Sequence, residues 1–378
     1  MHRIAIAALA LAAGTARAQL GQINPPLGPV ADTGPDLFQI EPRTPLSLET
    51  TPGDSDSIFK ITSPGSYYLT GNIRFGGAAV DFNAIEIVAT DVIIDLNGFT
   101  IDGIEAGGYG VRVIAQGARV TVKNGNITSF RFGGVYATGR MSVVRDVNVN
   151  NIVDNQSAGI RVGRGGLVEN CTVENVQNSG IRTSFDGLVR NCRVFSVSQN
   201  GYYLGGFSRV ENSVSAGAGL AGFRLEEGAQ AVDCLARSSD RSGFYGLNSA
   251  MVTRGVSINN DLAGYEMLNN GTVRDSVARG NTDGFVVGDG SILVGNAARD
   301  NASIGLLIQG SGGNIDRNTA SGSQYGFYCF GQGNADNAFT RNVADSNSLG
   351  NYFIISNDNY HRISTDPATA GPMDNISQ

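Results

Sequence analysis

The chain has 378 residues with 52 glycines, four cysteines and no tryptophan, and 27 basic against 34 acidic residues give a formal charge of −7. That acidity argues against nucleic acid as a partner, since non-specific binding needs a surplus of cations to displace counterions. His2 and His361 are the only histidines, so HExxH zinc chemistry is excluded and a Ser-His-Asp triad in the mature chain has only His361 to be built around.

Arg3 precedes an apolar run from Ile4 to Ala13, and Ala16-Arg17-Ala18 supplies the small residues of a cleavage site. The pattern predicts a secretory signal peptide over residues 1–18, cleaved after Ala18. The run is too short to span a bilayer, and no later stretch is apolar enough to do so. Losing Arg3 and Arg17 takes the formal charge from −7 to −9, and the mature chain is expected to be secreted or periplasmic. Residues 19–50, rich in proline and polar residues, read as an extended arm or linker. Residues 51–83 read as an N-terminal cap with the first strands, 84–355 as the repeat body, and 356–378 as a C-terminal cap or tail that keeps exposed strand edges from stacking end to end.

The repeat is explicit. G-I-R followed by G-L-V-x-N-C runs from Gly159 to Cys171 and recurs from Gly180 to Cys192. Glycines fall every 21 residues at 159, 180, 201, 222, 243 and 264, and continue at 284, 305, 326 and 350 and backward to 134 and 110. With a first turn near Ala84, this reads as about twelve coils. The first and third residues after each glycine are mostly apolar, as in Ile160/Val162, Ile181/Thr183, Tyr202/Leu204 and Phe223/Leu225. Alternation in short segments means strands with one buried face. A second strand follows around V-x-N-x-x-V, as in Val168 to Val173. Such short units cannot hold βαβ crossovers. They can hold coils whose strands pair with the coils above and below, and twelve coils would stack to about 58 Å. The glycine is expected where positive φ or close backbone approach is needed.

Eleven residues after glycine lies a polar column, Asn170, Asn191, Asn212, Asp233, Arg254 and Asp275, and Asn124 and Asp146 fit the same slot in the longer early coils. Stacked amides can satisfy one another and the turn backbone, and Arg254 reads as a charge-paired rung. One residue on, Cys171, Cys192, Ser213 and Cys234 mark a slot for a small buried side chain. A Cys171–Cys192 bridge is within Cα reach, although in-register parallel neighbours rarely orient correctly. Glu169, Arg190 and Glu211 alternate in sign on consecutive coils and read as exposed ion pairs that set register.

This pattern resembles the right-handed parallel β-helix proteins of the pectate-lyase-like superfamily. The stretches "SIFKITSPGSYYLTGNI" and "TDVIIDLNGFTIDG" resemble the opening segment of a group of exported bacterial β-helix proteins. The resemblance covers Thr51 to Ile355 and implies an all-β right-handed solenoid; it is specific for fold and weak for function. A leucine-rich repeat has a similar period, but its columns are leucine where these are Val, Ile, Phe and Tyr.

The residue between the two buried columns should point outward. It reads Glu86, Arg112, Tyr136, Arg161, Arg182, Tyr203, Arg224, Tyr245, Glu266, Val286, Leu307, Tyr328 and Tyr352. From Arg112 to Tyr245 it is an unbroken stripe of Arg and Tyr on an acidic protein. Stacked arginines repel unless an anion lies across them or carboxylates compensate. Guanidinium forks suit uronate or sulfate groups and tyrosine faces suit sugars, so the stripe predicts an acidic polysaccharide partner. In the superfamily that the chain resembles, polysaccharides lie on this outward face. The competing reading is an ordinary exterior, because Tyr and Arg both suit outward strand positions. Arg164, Asp186, Glu226, Glu227 and Asp289 flank the stripe in the following loop.

Two enzyme chemistries fit. For β-elimination or epimerisation of a uronate polymer, Arg224 neutralises the carboxylate and Tyr203, Tyr245 or a second arginine moves the proton. For an inverting glycosidase, Glu226 or Glu227 would pair with Glu266, two coils or about 9.6 Å away. A non-catalytic glycan-binding surface protein is the third reading. The Gly-His-Gly site of polygalacturonases and the Asp-Pro-His-Asp motif of mannuronan epimerases are absent. No Asp cluster matches the pectate lyase calcium site, although calcium can still be held through Asp and backbone oxygens.

Overall fold

The computed structural model describes residues 42–74, 82–115, 117, 119–330, 336–354, 359–360 and 362–378. The expected signal peptide, most of the arm and His361 lie outside these residues. Among the described residues the ordered structure is strand apart from one 3-10 turn at Pro367–Thr369, and no helix is long and apolar enough to cross a membrane. Fourteen strands, from Ser57–Ile61 to Gly350–Ile354, form one sheet in chain order. Every pairing along it is parallel, as where Ile160–Val162 pairs with Ile181–Thr183. Two more strands per coil, such as Leu167–Glu169 and Thr172–Val176, pair with their counterparts 21 residues on. The chain winds as a right-handed parallel β-helix, the hand that parallel connections take.

The coil count is fourteen rather than twelve. The first two rungs carry Ile58 and Ala84 in the slot that becomes glycine at Gly110, so the twelve glycines register neither. Thirteen steps at about 4.8 Å span roughly 62 Å. The two apolar columns face inward: Ile160, Ile181, Tyr202, Phe223, Phe244, Tyr265 and Phe285 are all fully buried. Their rings stack nearly parallel, with centroids 4.6 Å apart for Tyr202–Phe223 and 4.7 Å for Tyr265–Phe285. Rung spacing thus coincides with ring-stacking distance, so one aromatic column satisfies the ladder and the core together.

The marker glycines are there for close approach and not for positive φ. A Cβ on Gly201 would lie 2.0 Å from Ser215 Oγ and 2.6 Å from the Gly222 carbonyl oxygen. Positive φ belongs instead to the polar column: Asn170 at 53°, Asn191 at 54°, Asp233 at 54° and Arg254 at 51°. Each is a left-handed corner splitting the expected second strand in two, and Asn and Asp tolerate it best. Asn191 Nδ2 donates to Asn170 Oδ1 at 3.3 Å. Arg254 holds both oxygens of Asp233 at 2.7 Å, which offsets its unfavourable backbone.

The small-residue column lies just inside that corner. Cys171, Cys192 and Cys234 are buried there as unbridged thiols. Cys171 Sγ donates to the Glu169 carbonyl at 3.2 Å, and Ser213 Oγ makes the same bond to Glu211. Further along, Ser276, Asn296, Asn318 and Asn342 continue the column as a buried ladder in which Asn296 Nδ2 donates to Asn318 Oδ1 at 3.0 Å. Arg190 pairs with Glu169 at 2.7 Å across coils, whereas Glu211 is met by Arg209 at 3.0 Å.

One outward assignment changes. At the last rung Phe327 pairs with Tyr352 and Tyr328 with Phe353. Tyr352 therefore points inward, stacked on Phe327 at 4.9 Å, and Phe353 takes the outward position. The glycine at 350 sits one residue earlier relative to the rung than the others, which moves both columns.

Candidate functional site

The outward column forms a continuous ladder in register on the fourteen-strand face. Lys60, Glu86, Arg112, Tyr136, Arg161 and Arg182 occupy consecutive rungs, followed by Tyr203, Arg224, Tyr245 and Glu266. From Arg112 to Glu266 every side chain is half-buried, hemmed in by the loops after each rung. Glu86 differs: it is 1% exposed and its Oε1 lies 2.8 Å from the Lys60 ammonium.

The arginines are not alike. Arg224 Nε donates to Glu226 Oε1 at 2.9 Å, so this cation already has its carboxylate. Arg164, in the loop, pairs with Asp186 at 2.8 Å. Arg161 and Arg182 stand on adjacent rungs, and among the described residues neither has a carboxylate within ion-pair distance. They lean apart: Arg161 lies over the Tyr136 ring at 5.4 Å, and Arg182 over Tyr203 at 4.4 Å. Arg112 lies over Tyr109 at 5.8 Å. Each cation thus rests on an aromatic quadrupole, which relieves repulsion without neutralising charge.

Several concavities open along the ladder. One, about 300 Å³, is lined by Arg161, Arg182, Tyr203, Glu226 and Glu227, with Phe185 and the backbone of Gly205 and Gly206. Another, about 430 Å³, also opens at Arg161 and is lined by Arg140 and Arg164. A third, about 180 Å³, is lined by Arg224, Tyr245 and Glu266, with Arg241, Ser242 and Asn200. Tyr203, Arg224, Tyr245 and Glu266 are consecutive but divided between the first and third of these spaces. Glu226 and Glu227 share no cavity with Glu266, whose Oε2 accepts from Ser242 Oγ at 2.7 Å. Asp289 is engaged with the next coil, accepting from Ser311 N at 2.8 Å.

Burial pushes the Tyr203 hydroxyl above its ordinary pKa, and the adjacent Glu226 carboxylate pushes it further. Tyr203 is therefore a proton donor at neutral pH and a poor base. Glu226 lies beside that hydroxyl and is held by Arg224 on its other side. Sequence reasoning overlooked Phe185, an aromatic in a loop slot that carries no strand period.

Calcium finds a poor fit. Among the described residues the carboxylate trio close enough to share an ion is Asp54, Asp56 and Glu86. The Lys60 ammonium contacts both Asp54 and Glu86 there and already supplies the positive charge. In the groove, Glu226 is already held by Arg224, and Arg161 and Arg182 line the same space.

Residues 83–231 match the family model described as "Right handed beta helix region". No curated protein sequence matches the chain. Among solved structures, the A-module of the Azotobacter vinelandii mannuronan C-5 epimerase AlgE6 is similar with a TM-score of 0.52 at 16% identity, over 83% of this chain and 90% of that one. The corresponding AlgE4 module gives 0.49 at 15%, over 83% and 91%. Pectate lyase Pel9A gives 0.37 at 15%, over 82% and 74%. At these identities the likeness establishes the fold.

Proposed function

We propose that this right-handed parallel β-helix is an exported protein that acts on an extended acidic polysaccharide along its arginine and tyrosine ladder. The reaction is proton abstraction beside a uronate carboxylate, leading to β-elimination or epimerisation. One observation carries the reading: Arg161 and Arg182 are adjacent, have no carboxylate partner among the described residues, and open into the same cavity as the protonated Tyr203 and the Glu226 carboxylate. The fold also hosts a mannuronan epimerase module, so such chemistry is within reach of the scaffold.

In this reading the neutralising cations are Arg161 and Arg182, since Arg224 is already engaged. A substrate carboxylate between them loses its charge to the guanidiniums, which makes the proton on the adjacent carbon more acidic. Glu226 takes that proton. Tyr203 gives its own proton to the departing glycosidic oxygen as the C–O bond breaks and the C=C bond forms, and Glu226 then reprotonates Tyr203. For epimerisation Tyr203 returns the proton to the opposite face of the carbon, and no bond to oxygen breaks. Tyr245 and Glu266 line the adjoining concavity and contact the next sugar.

A non-catalytic glycan binder is favoured by the Arg224–Glu226 pair, which reads equally as a local ion pair within one coil. The test is incubation with a panel of uronate and sulfated polysaccharides. Ultraviolet absorbance follows a new conjugated C=C bond, reducing ends follow hydrolysis, and proton NMR follows epimers. Turnover that Tyr203→Phe and Glu226→Gln abolish while binding persists supports the catalytic reading. Binding without any of the three products leaves the binder.

A further inference from the structure

We propose that Phe185 and Phe207 form a sugar-stacking platform beside the concavity that Arg161, Arg182 and Tyr203 line, on which pyranose rings lie while their carboxylates face Arg161 and Arg182. The inference rests on the acidic-polysaccharide reading above and names how that ligand is oriented.

Phe207 occupies a loop slot where the chain needs a left-handed residue. Corresponding coils fill it with Gly165, Asp186, Gly228, Ser249, Asn270 and Gly290. Phe207 adopts φ 58° there, which is rare for a bulky side chain and strained. Core burial does not compensate, because its ring is 62% exposed. Phe185, one coil earlier and just before the slot, is 54% exposed. The fold therefore bears both backbone strain and exposed apolar surface at one spot, and strain retained without core burial points to use.

The floor beneath the rings is bare backbone. A Cβ on Gly206 would lie 2.9 Å from the Phe185 ring, and one on Gly228 would lie 2.7 Å from the Phe207 ring. Glycine at both places lets each ring rest against the following coil. The two rings sit in neighbouring loop slots of successive coils and present exposed apolar surface alongside the cationic ladder. A pyranose offers a matching pair of surfaces, with C–H groups on its faces and hydroxyl and carboxylate groups at its edge. Phe185 lines the same cavity as Arg161 and Arg182. A ring stacked on that surface directs its anionic edge at those cations, which commits the occupant to an acidic sugar chain over an apolar peptide.

The experiment is calorimetric titration of uronate oligosaccharides into the full chain at low and high salt. Wild type is compared with Phe185→Ala, Phe207→Asn and the Arg161→Gln/Arg182→Gln double variant, with a thermal melt of each. Each Phe substitution should weaken binding about three- to tenfold at both salt concentrations. Phe207→Asn should melt at the same temperature as wild type or higher, since Asn tolerates the backbone that Phe strains. The arginine variant should lose the salt-dependent part of the affinity instead. If the arginine variant binds weakly and both Phe variants bind as wild type, the platform is wrong and the groove reading stands. If Phe207→Asn melts lower with unchanged affinity, Phe207 is a packing residue and the platform is wrong. If the wild type binds no uronate chain, the platform falls with the reading beneath it.

Discussion

Replacing Arg161 and Arg182 together by glutamine separates a ligand groove from an ordinary exterior. Their strands pair in register, Arg161 opposite Arg182. Two unit charges about 4.8 Å apart would repel by roughly 0.9 kcal/mol at the dielectric of water and about 3.5 at an effective value of 20. Splaying onto Tyr136 and Tyr203 lowers that cost, and each cation–π contact returns about 0.5–1 kcal/mol. Glutamine removes the repulsion and the ring contacts together, so the stability of the double variant should stay within about 1 kcal/mol of wild type. Binding should behave differently. An exposed ion pair is worth about 0.2–1 kcal/mol and a hydrogen bond to a charged group about 1.5–3. A half-buried guanidinium on a uronate lies between, near 1–1.5 kcal/mol. Removing two such interactions lowers affinity by about 30- to 150-fold, at 1.36 kcal/mol per factor of ten. Titration with uronate oligomers at two salt concentrations, beside a thermal melt, reads both quantities. Unchanged affinity, or a binding loss no larger than a parallel collapse in melting temperature, would refute the reasoning.

Burial pushes the Cys234 thiol up to about 12. An acid whose pKa is raised by folding stabilises fully below its unfolded pKa, near 9, and loses that contribution as pH rises toward 12, at about 1.4 kcal/mol per unit. Cys234→Ser, which copies Ser213 in the same slot one coil earlier, should therefore flatten the fall in melting temperature between pH 8 and 10.5. Asn318 is fully buried and bonds Asn296, Asn342 and the Leu293 carbonyl. Asn318→Ala leaves several buried groups unpaired and should cost about 2–4 kcal/mol in denaturant unfolding. Because burial and Glu226 both raise Tyr203, any turnover should show no loss from Tyr203 deprotonation below about pH 10, while Glu226→Gln should lower the hydroxyl's pKa in a tyrosinate absorbance titration.

The fold was legible because a solenoid writes its packing into the sequence at a fixed period. Tyr202, Phe223 and Phe244 are 21 residues apart and stack directly, so the spacing in the chain is the spacing in space. The arginine and tyrosine stripe was legible for the same reason, since strand alternation assigns the middle residue of each triplet to the outside. Where the period slips, as from Gly326 to Gly350, the reading slipped too, and Tyr352 turned inward.

By itself the sequence determined the parallel β-helix, the buried columns and the order of charges along one face, all consequences of periodicity and alternation. Only the tertiary structure decided which of those charges are already spent. Arg224 meets Glu226 and Arg164 meets Asp186, while Arg161 and Arg182 lie over tyrosine rings with no carboxylate partner among the described residues. Side chains two residues apart, or one coil apart across a loop, either meet or miss according to rotamer and loop path, and no repeat period encodes that. The exposure of Phe185 and Phe207 was decided the same way. Loop positions have no buried face to impose a pattern, so only the path of each loop sets what they touch.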